Sequence, residues 1–147
     1  MKSKLLHTSD GQKTYALIFE TGDEVMSTLK AFAQDNRLGG SHFTAIGAFR
    51  DVTLGYFDWE KKDYRRTSLD EQVEVVTLAG NIALKDGRPK VHAHIVVARE
   101  NGNAVGGHLL EAHVRPTLEV VVTETPAYLQ RREDPETGLA LIDLGSG

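Results

Sequence analysis

The chain has 147 residues, 40% hydrophobic and 26% charged, which fits one globular domain able to bury about two-thirds of its unfolded surface. It contains no cysteine, which excludes disulfides, thiol catalysis and thiolate metal ligation and fits a cytoplasmic setting. The net charge of −4 argues against a general affinity for nucleic acid, since Lys and Arg neutralising phosphates supply most non-specific DNA affinity.

The basic residues are scattered, and the short clusters Lys61-Lys62, Arg65-Arg66 and Arg131-Arg132 are interrupted or flanked by Glu60, Asp63, Glu133 and Asp134. DNA is therefore a possible partner that charge disfavours. The first residues, Met1 to His7, lack the apolar core of a signal peptide. No apolar run reaches the roughly 18 residues of a membrane span, so no membrane partner is expected.

Residues 14–19 read as a strand ending at Thr21-Gly22. From Asp23 the pattern changes: Val25, Met26, Leu29, Phe32 and Ala33 fall at helical spacing, with Thr21 or Asp23 as the N-cap and Gly39-Gly40 beyond the helix end. Residues 43–49 and 52–57 are two strand-like runs broken at Arg50-Asp51, and residues 59–63 form a polar hairpin turn into 64–67. Residues 73–84 are one long strand or a strand bent at Gly80, and Lys85 to Pro89 is a turn with Asp-Gly and Pro signals. Two histidine-bearing strands follow, then a strand over 117–123 that Pro126 ends. Residues 130–138 read as a charged loop, and 139–142 as a short edge strand. No repeat, low-complexity segment or linker divides the chain, so residues 1–147 form a single domain. The class is α+β, a mostly antiparallel β-sheet with one main helix after the second strand.

The chemistry concentrates in three histidines. His92 and His94 sit two apart in an apolar strand, so alternation puts both on one face with Cα atoms ~6.5 Å apart. Imidazole nitrogens reach a divalent ion at about 2.0–2.1 Å, so the two rings can converge on one metal. His108 joins them only if the intervening hairpin has the right parity. A two-residue turn at Asn101-Gly102 places Ile95 opposite His108 and sends His94 and His108 to opposite faces. A three-residue loop, Glu100-Asn101-Gly102, with Gly102 in the left-handed conformation, pairs His94 with His108. Three protein ligands and an open position are the ligand count of catalytic rather than structural zinc. The other reading is a satisfied polar cluster or a histidine-lined pocket without metal.

His113 lies five residues past His108, so simple alternation puts it on the opposite face and outside the ligand set, unless a bulge intervenes. His42 and His7 have no local company and default to structural roles. Glu74, Glu119 and Glu124 lie on strands, but none is placed near the metal, and the catalytic residues are unassigned. Arg50 and Arg115 are able to hold a carboxylate substrate by paired hydrogen bonds, or serve as surface and interface residues.

Several segments, in their order and spacing, resemble the PPC (plants and prokaryotes conserved) domain family. They are residues 43–48, 52–58, 78–82, 91–94 and 105–109, with 114–120 and the tail 131–139 also similar. The resemblance implies one antiparallel sheet packed with a few helices and assembled as a homotrimer. Plant members join the domain to AT-hooks. The only echo here, Gly87-Arg88-Pro89-Lys90, lacks the preceding Arg and falls in a hairpin turn, so the DNA-binding label of the family is weakly supported. The chain looks like a free-standing prokaryotic member, some of which bind metal through such histidines. The fold further resembles that of acetolactate decarboxylase, which holds zinc through a His-X-His pair and a later His. By that analogy His92, His94 and His108 would ligate one divalent metal, most simply zinc.

Three functions follow. The first is a metal-binding homotrimer whose site takes a small anionic ligand or serves regulation. The second is a metal-dependent lyase or hydrolase on a small anionic substrate. The third is a DNA-binding or transcription-associated module. Imidazole-only ligation suits Zn, Ni, Cu or Fe by ligand type.

Overall fold

The computed structural model describes residues 1–145. In chain order they form β1 (Lys2–Ser9), β2 (Gln12–Glu20), α1 (Val25–Asp35), β3 (Gly40–Asp58), β4 (Asp63–Leu69) and β5 (Val73–Lys85). Then come β6 (Arg88–Ala98), β7 (Ala104–Glu124), β8 (Gln130–Glu133) and β9 (Ala140–Asp143). The class is the expected α+β one, with a mostly antiparallel sheet and the helix directly after β2. A lone parallel pairing, Leu84 with Gln130, docks β8 on β5.

Two strands dominate. β3 runs unbroken through Arg50-Asp51, where two strands were expected; its pairing with β7 shifts register on either side of Phe49. Bulges of this kind bend a strand without ending it. β7 likewise carries both the His108 segment and residues 117–123, passing through the cis Arg115-Pro116 bond. β5 does not break at Gly80; its irregularity lies between Val75 and Thr77. β1 gave no amphipathic signal because every one of its residues is exposed. The charged segment read as loop holds β8, which pairs with β9.

Because β3 and β7 bend, pairings run β3–β5–β6–β7 and back to β3, closing a circuit around the core. Inside lie Phe43, Phe49, Leu78, Ile95, Leu109 and Val120, all buried. The helix packs Val25, Leu29, Phe32 and Ala33 onto this core, with Phe32 edge-on to Tyr15 at 5.3 Å. Its N-cap is Glu24 rather than Thr21 or Asp23. The Glu24 carboxylate accepts from the Met26 and Ser27 amides, while Asp23 accepts from the Glu20 amide one turn earlier. A longer side chain at the cap thus does what the shorter ones were expected to do.

Glu124, one of the candidate acids, closes the end of β7 against the start of β3. It is only 5% exposed and accepts from the Gly39 amide at 2.9 Å, the Gly40 amide and the Ser41 hydroxyl. Its role is structural: three donors converge on one buried carboxylate. Replacing Glu124 with Ala should leave those donors unsatisfied and cost on the order of 3 kcal/mol in urea unfolding. Glu119→Ala, on the exposed face of the same strand, should cost well under about 1 kcal/mol.

Candidate metal centre

On β6, Ala93, Ile95 and Val97 are buried in the core, so alternation turns His92 and His94 outward. On β7, buried Leu109 does the same for His108. The hairpin between the strands then decides whether the three meet. The Arg99 amide donates to the Asn103 carbonyl at 2.9 Å, leaving Glu100, Asn101 and Gly102 as a three-residue loop. Gly102 has φ of 80°, the left-handed conformation that a side chain would resist. His94 accordingly pairs with His108, as the odd loop requires.

The three imidazoles form a nearly regular triangle. Ring centroids are 5.1 Å apart for His92 and His94, 5.0 Å for His92 and His108, and 5.3 Å for His94 and His108. One nitrogen from each ring lies within 4.8 Å of the other two. Three imidazoles bound tetrahedrally at 2.0–2.1 Å would have centroids about 5.2 Å apart, since each centroid sits a further ~1.1 Å behind its nitrogen. The centroid spacing found matches that of three rings around one ion. His108 Nδ1 is buried and has no hydrogen-bond partner, a costly state for a lone ring nitrogen that a metal ion would relieve.

The surroundings hold His92 and His108 neutral. Burial lowers the pKa of His92, helped by the nearby charges of Arg131, His94 and Lys90. Burial and then His92, His94 and Lys90 bring His108 down to about 4. Neutral imidazole is the form that ligates. Tyr64 of β4 stacks on His108 with centroids 4.6 Å apart and planes at 29°, and burial pushes its hydroxyl pKa up, so it stays a phenol. Gly55 on β3, the strand partner of His108, makes room for this: a Cβ there would come within 2.7 Å of the Tyr64 ring.

Two cations flank the cluster. Lys90 shares the outward face of β6 with His92 and His94 by alternation. Arg131 of β8 donates to the side-chain oxygen of Asn81, the β5 residue paired with His92. Tyr64, Gly55, Asn81, Lys90 and Arg131 were not singled out for this site from the sequence. Lys90 follows from the same alternation that places His92 and His94, and Gly55 and Asn81 from the pairing of β3 and β5 with the histidine strands. Tyr64 and Arg131 depend on β4 and β8 folding back onto the histidine face, which no local pattern encodes.

The other candidates fall elsewhere. His113 stays out of the cluster, but alternation is not the reason. Pairing steps from Thr53–Glu111 to Leu54–Leu109, and Leu109, Ala112 and Val114 are all buried, so a bulge at Leu110 returns His113 to the outward side. It sits five residues along the strand, its Nδ1 2.7 Å from Asp51 Oδ1. His42 lies in the row of Asn81 and His92 but one strand beyond Asn81, and His7 is on exposed β1. Glu74 and Glu119 are exposed and outside the cluster. Arg50 pairs with Asp51 at 2.7 Å, and Arg115 is exposed.

The model of the Plants and Prokaryotes Conserved domain matches residues 6–126. The chain belongs to that family. A protein of Archaeoglobus fulgidus named as metal-containing is 34% identical, with a TM-score of 0.81 over 88% of this chain and 92% of that one. A plant- and prokaryote-conserved protein of Pyrococcus horikoshii is 31% identical, with a TM-score of 0.84 over 99% and 96%. A Ralstonia eutropha JMP134 protein, provisionally named as DNA-binding, is 31% identical at a TM-score of 0.85 over 97% and 96%. Among curated proteins, the bifunctional protein GlmU of Synechococcus sp. (strain JA-3-3Ab) is 32% identical over 129 residues, 86% of this chain and 20% of its own length. The chain thus spans about a fifth of the length of the curated relatives it matches. Likeness to α-acetolactate decarboxylase from Bacillus subtilis, at 14% identity, a TM-score of 0.56 and coverage of 86% and 58%, is a likeness of fold.

The lowered pKa values set the acid behaviour of the metal-free domain. The folded state disfavours protonated His92 and His108, whereas the unfolded chain protonates them near the ordinary 6.5. Their contribution is present above about pH 6.5 and is lost as pH falls toward the value of about 4 for His108. Thermal melts of metal-free protein between pH 7 and 4 should show falling stability, with a shallower fall for His108→Asn. Equal slopes in the two proteins would refute this account.

Proposed function

We propose that this protein is a homotrimeric PPC-domain protein that holds a divalent metal, zinc first among the candidates, on His92, His94 and His108. Its open position takes a small anionic ligand. The observation that carries the reading is the 5.0–5.3 Å triangle of imidazole rings, the spacing a tetrahedral ion needs. The A. fulgidus relative named as metal-containing supports it. Zinc is favoured over the other borderline metals because it has no geometric preference to set against a tetrahedral three-imidazole site. When bound, such a metal supplies a Lewis acid and lowers the pKa of its water to around 7.

The chain's own residues favour binding or regulation over turnover. Glu124 is committed to the Gly39–Ser41 amides and hydroxyl, and Glu74 and Glu119 lie outside the cluster, so none of the three candidate carboxylates stands ready as acid or base. Tyr64, a neutral phenol, stacks directly on His108. Turnover of small 2-keto or 2-hydroxy acids would move the assignment to a metal-dependent lyase or hydrolase. Salt-dependent DNA binding would move it to the reading suggested by the name of the R. eutropha relative.

Trimer formation is supported by the outward face of the sheet. Ile46 is 60% exposed, Val76 54%, Val121 47% and Ile18 40%. Ile18 and Ile46 flank Glu119 from either side, and Ile46 and Val76 fall in the same irregular stretch of β3 and β5. Water-exposed aliphatic side chains gathered on four strands are the mark of a covered surface.

Elemental analysis of protein purified without chelator should find about one divalent metal per chain. His94→Ala should lose most of it and His113→Ala should keep it; full occupancy in the His94→Ala protein would sink the assignment. In sedimentation at micromolar concentration the protein should run at three times its 16.2 kDa protomer mass, and Ile46→Asp should drive it toward the protomer. A wild-type species near 16.2 kDa alone would rule the trimer out.

A further inference from the structure

We propose that Arg131 is the anion-recognising residue of the histidine centre, and that the ligand is a small carboxylate whose negative charge completes the unpaired guanidinium. This rests on the metal reading above and names the class of ligand that the site takes.

The argument begins with a charge that lacks a partner. Arg131 is 7% exposed, yet it forms no ion pair with any acid among the described residues. Its Nη1 donates to the Ala140 carbonyl at 2.7 Å and its Nη2 to the Asn81 side-chain oxygen, both neutral acceptors. Its Nε is buried with no partner at all. The neighbouring Arg132 shows the ordinary arrangement, largely exposed and paired with Asp143 at 2.6 Å. Arg50, Arg65 and Arg99 each have a carboxylate as well. Burying a guanidinium without a counter-charge is unfavourable, and burial pulls the Arg131 pKa down.

Position supplies the second part. Asn81 pairs with His92 across β5 and β6, so the Arg131 side chain is anchored next to the histidine face. Lys90, on the same outward face of β6 as His92 and His94, places a second cation beside the rings. A divalent ion on the three imidazoles would add two positive charges to a site already flanked by Lys90 and Arg131. Among the described residues no carboxylate joins the three rings, and Arg131 has no acid of its own. The missing component is an anion, and guanidinium is the side chain whose fork matches a carboxylate. Arg131 also lies beyond the matched residues 6–126, so this feature is contributed by the β8–β9 hairpin.

A purely structural role, stapling β8 to Asn81 and Ala140, makes a different prediction, so the test separates stability from affinity. Protein loaded with cobalt(II), whose visible spectrum reports its ligands, would be titrated with acetate and pyruvate, and with acetamide as the neutral control. Wild type should bind the carboxylates with a spectral change and acetamide far more weakly. Arg131→Gln should keep its metal and bind the carboxylates roughly tenfold or more weakly. Lys90→Ala, at an exposed position that leaves the fold alone, should weaken them about two- to threefold. Unchanged carboxylate affinity in a metal-loaded Arg131→Gln protein would overturn the proposal. If Arg131→Gln does not fold, wild type that fails to prefer acetate over acetamide, or Lys90→Ala with unaltered affinity, overturns it instead. Failure of the metal reading looks different: no stoichiometric metal in wild type, before any anion is added.

Discussion

The histidine centre depends on the parity of one hairpin loop. Three residues between Arg99 and Asn103, with Gly102 at φ 80°, set His94 against His108. A slip of one residue would set His94 opposite Leu109 or Gly107, turning one strand's imidazoles into the core and its aliphatic side chains outward. Leu109, Ile95 and Ala93 resist that slip because each is buried in the present register. Loop geometry and hydrophobic pattern thus specify the same pairing, the kind of agreement between levels that makes a register unique. Everything else at the site is arranged around it: Gly55 backs His108, Tyr64 stacks over it, and Asn81 stands beside His92.

Local pattern was sufficient wherever alternation or helical period acted over a few residues. It located the helix through Val25, Leu29, Phe32 and Ala33, and it put His92 and His94 on one face with His108 brought opposite by the odd loop. It failed where one strand continues past a polar or bulged stretch. Arg50-Asp51 resembles a turn in isolation, but Asp51 is satisfied by His113 across β7, so the strand need not end. The extra residue at Leu110 inverted the parity argument for His113 while leaving its outcome intact. Sequence could not reveal Arg131 at the site either. Its position comes from the lone parallel contact of Leu84 with Gln130 and from the hairpin of β8 with β9, both set by tertiary docking rather than by any local period.

The electrostatics of the centre run against the charge of the whole chain. A protein with net charge −4 gathers Lys90 and Arg131 at its histidines; among the described residues Arg131 has no ion pair, while Glu133 acts on Lys90 and pairs with Lys85. The carboxylates that might have balanced them are spent elsewhere: Glu124 on the Gly39 and Gly40 amides, Asp51 on His113 and Arg50. A net charge of −4 acts against polyanions, whose many charges feel the whole surface. A small anion feels mainly the charges within a Debye length of about 8 Å. On the proposed reading, the site would therefore discriminate by size as well as by sign.

A row of outward positions links this centre to the exposed aliphatic patch proposed for assembly. His94 pairs with Ala79, Ala79 with Thr44, and Thr44 with Val121, so a single row of outward positions runs from the histidines to the exposed aliphatic patch. Neighbouring strands lie about 4.8 Å apart, which puts Val121 roughly 14 Å from His94. A subunit seated on Ile46 and Val121 would thus end close to the imidazoles and narrow the approach to them. Water would then be partly excluded from around Arg131 and Lys90, and their pull on an anion would strengthen as the local dielectric falls. On the proposed readings, assembly and ligand binding would draw on the same row of outward positions, and loosening one should weaken the other.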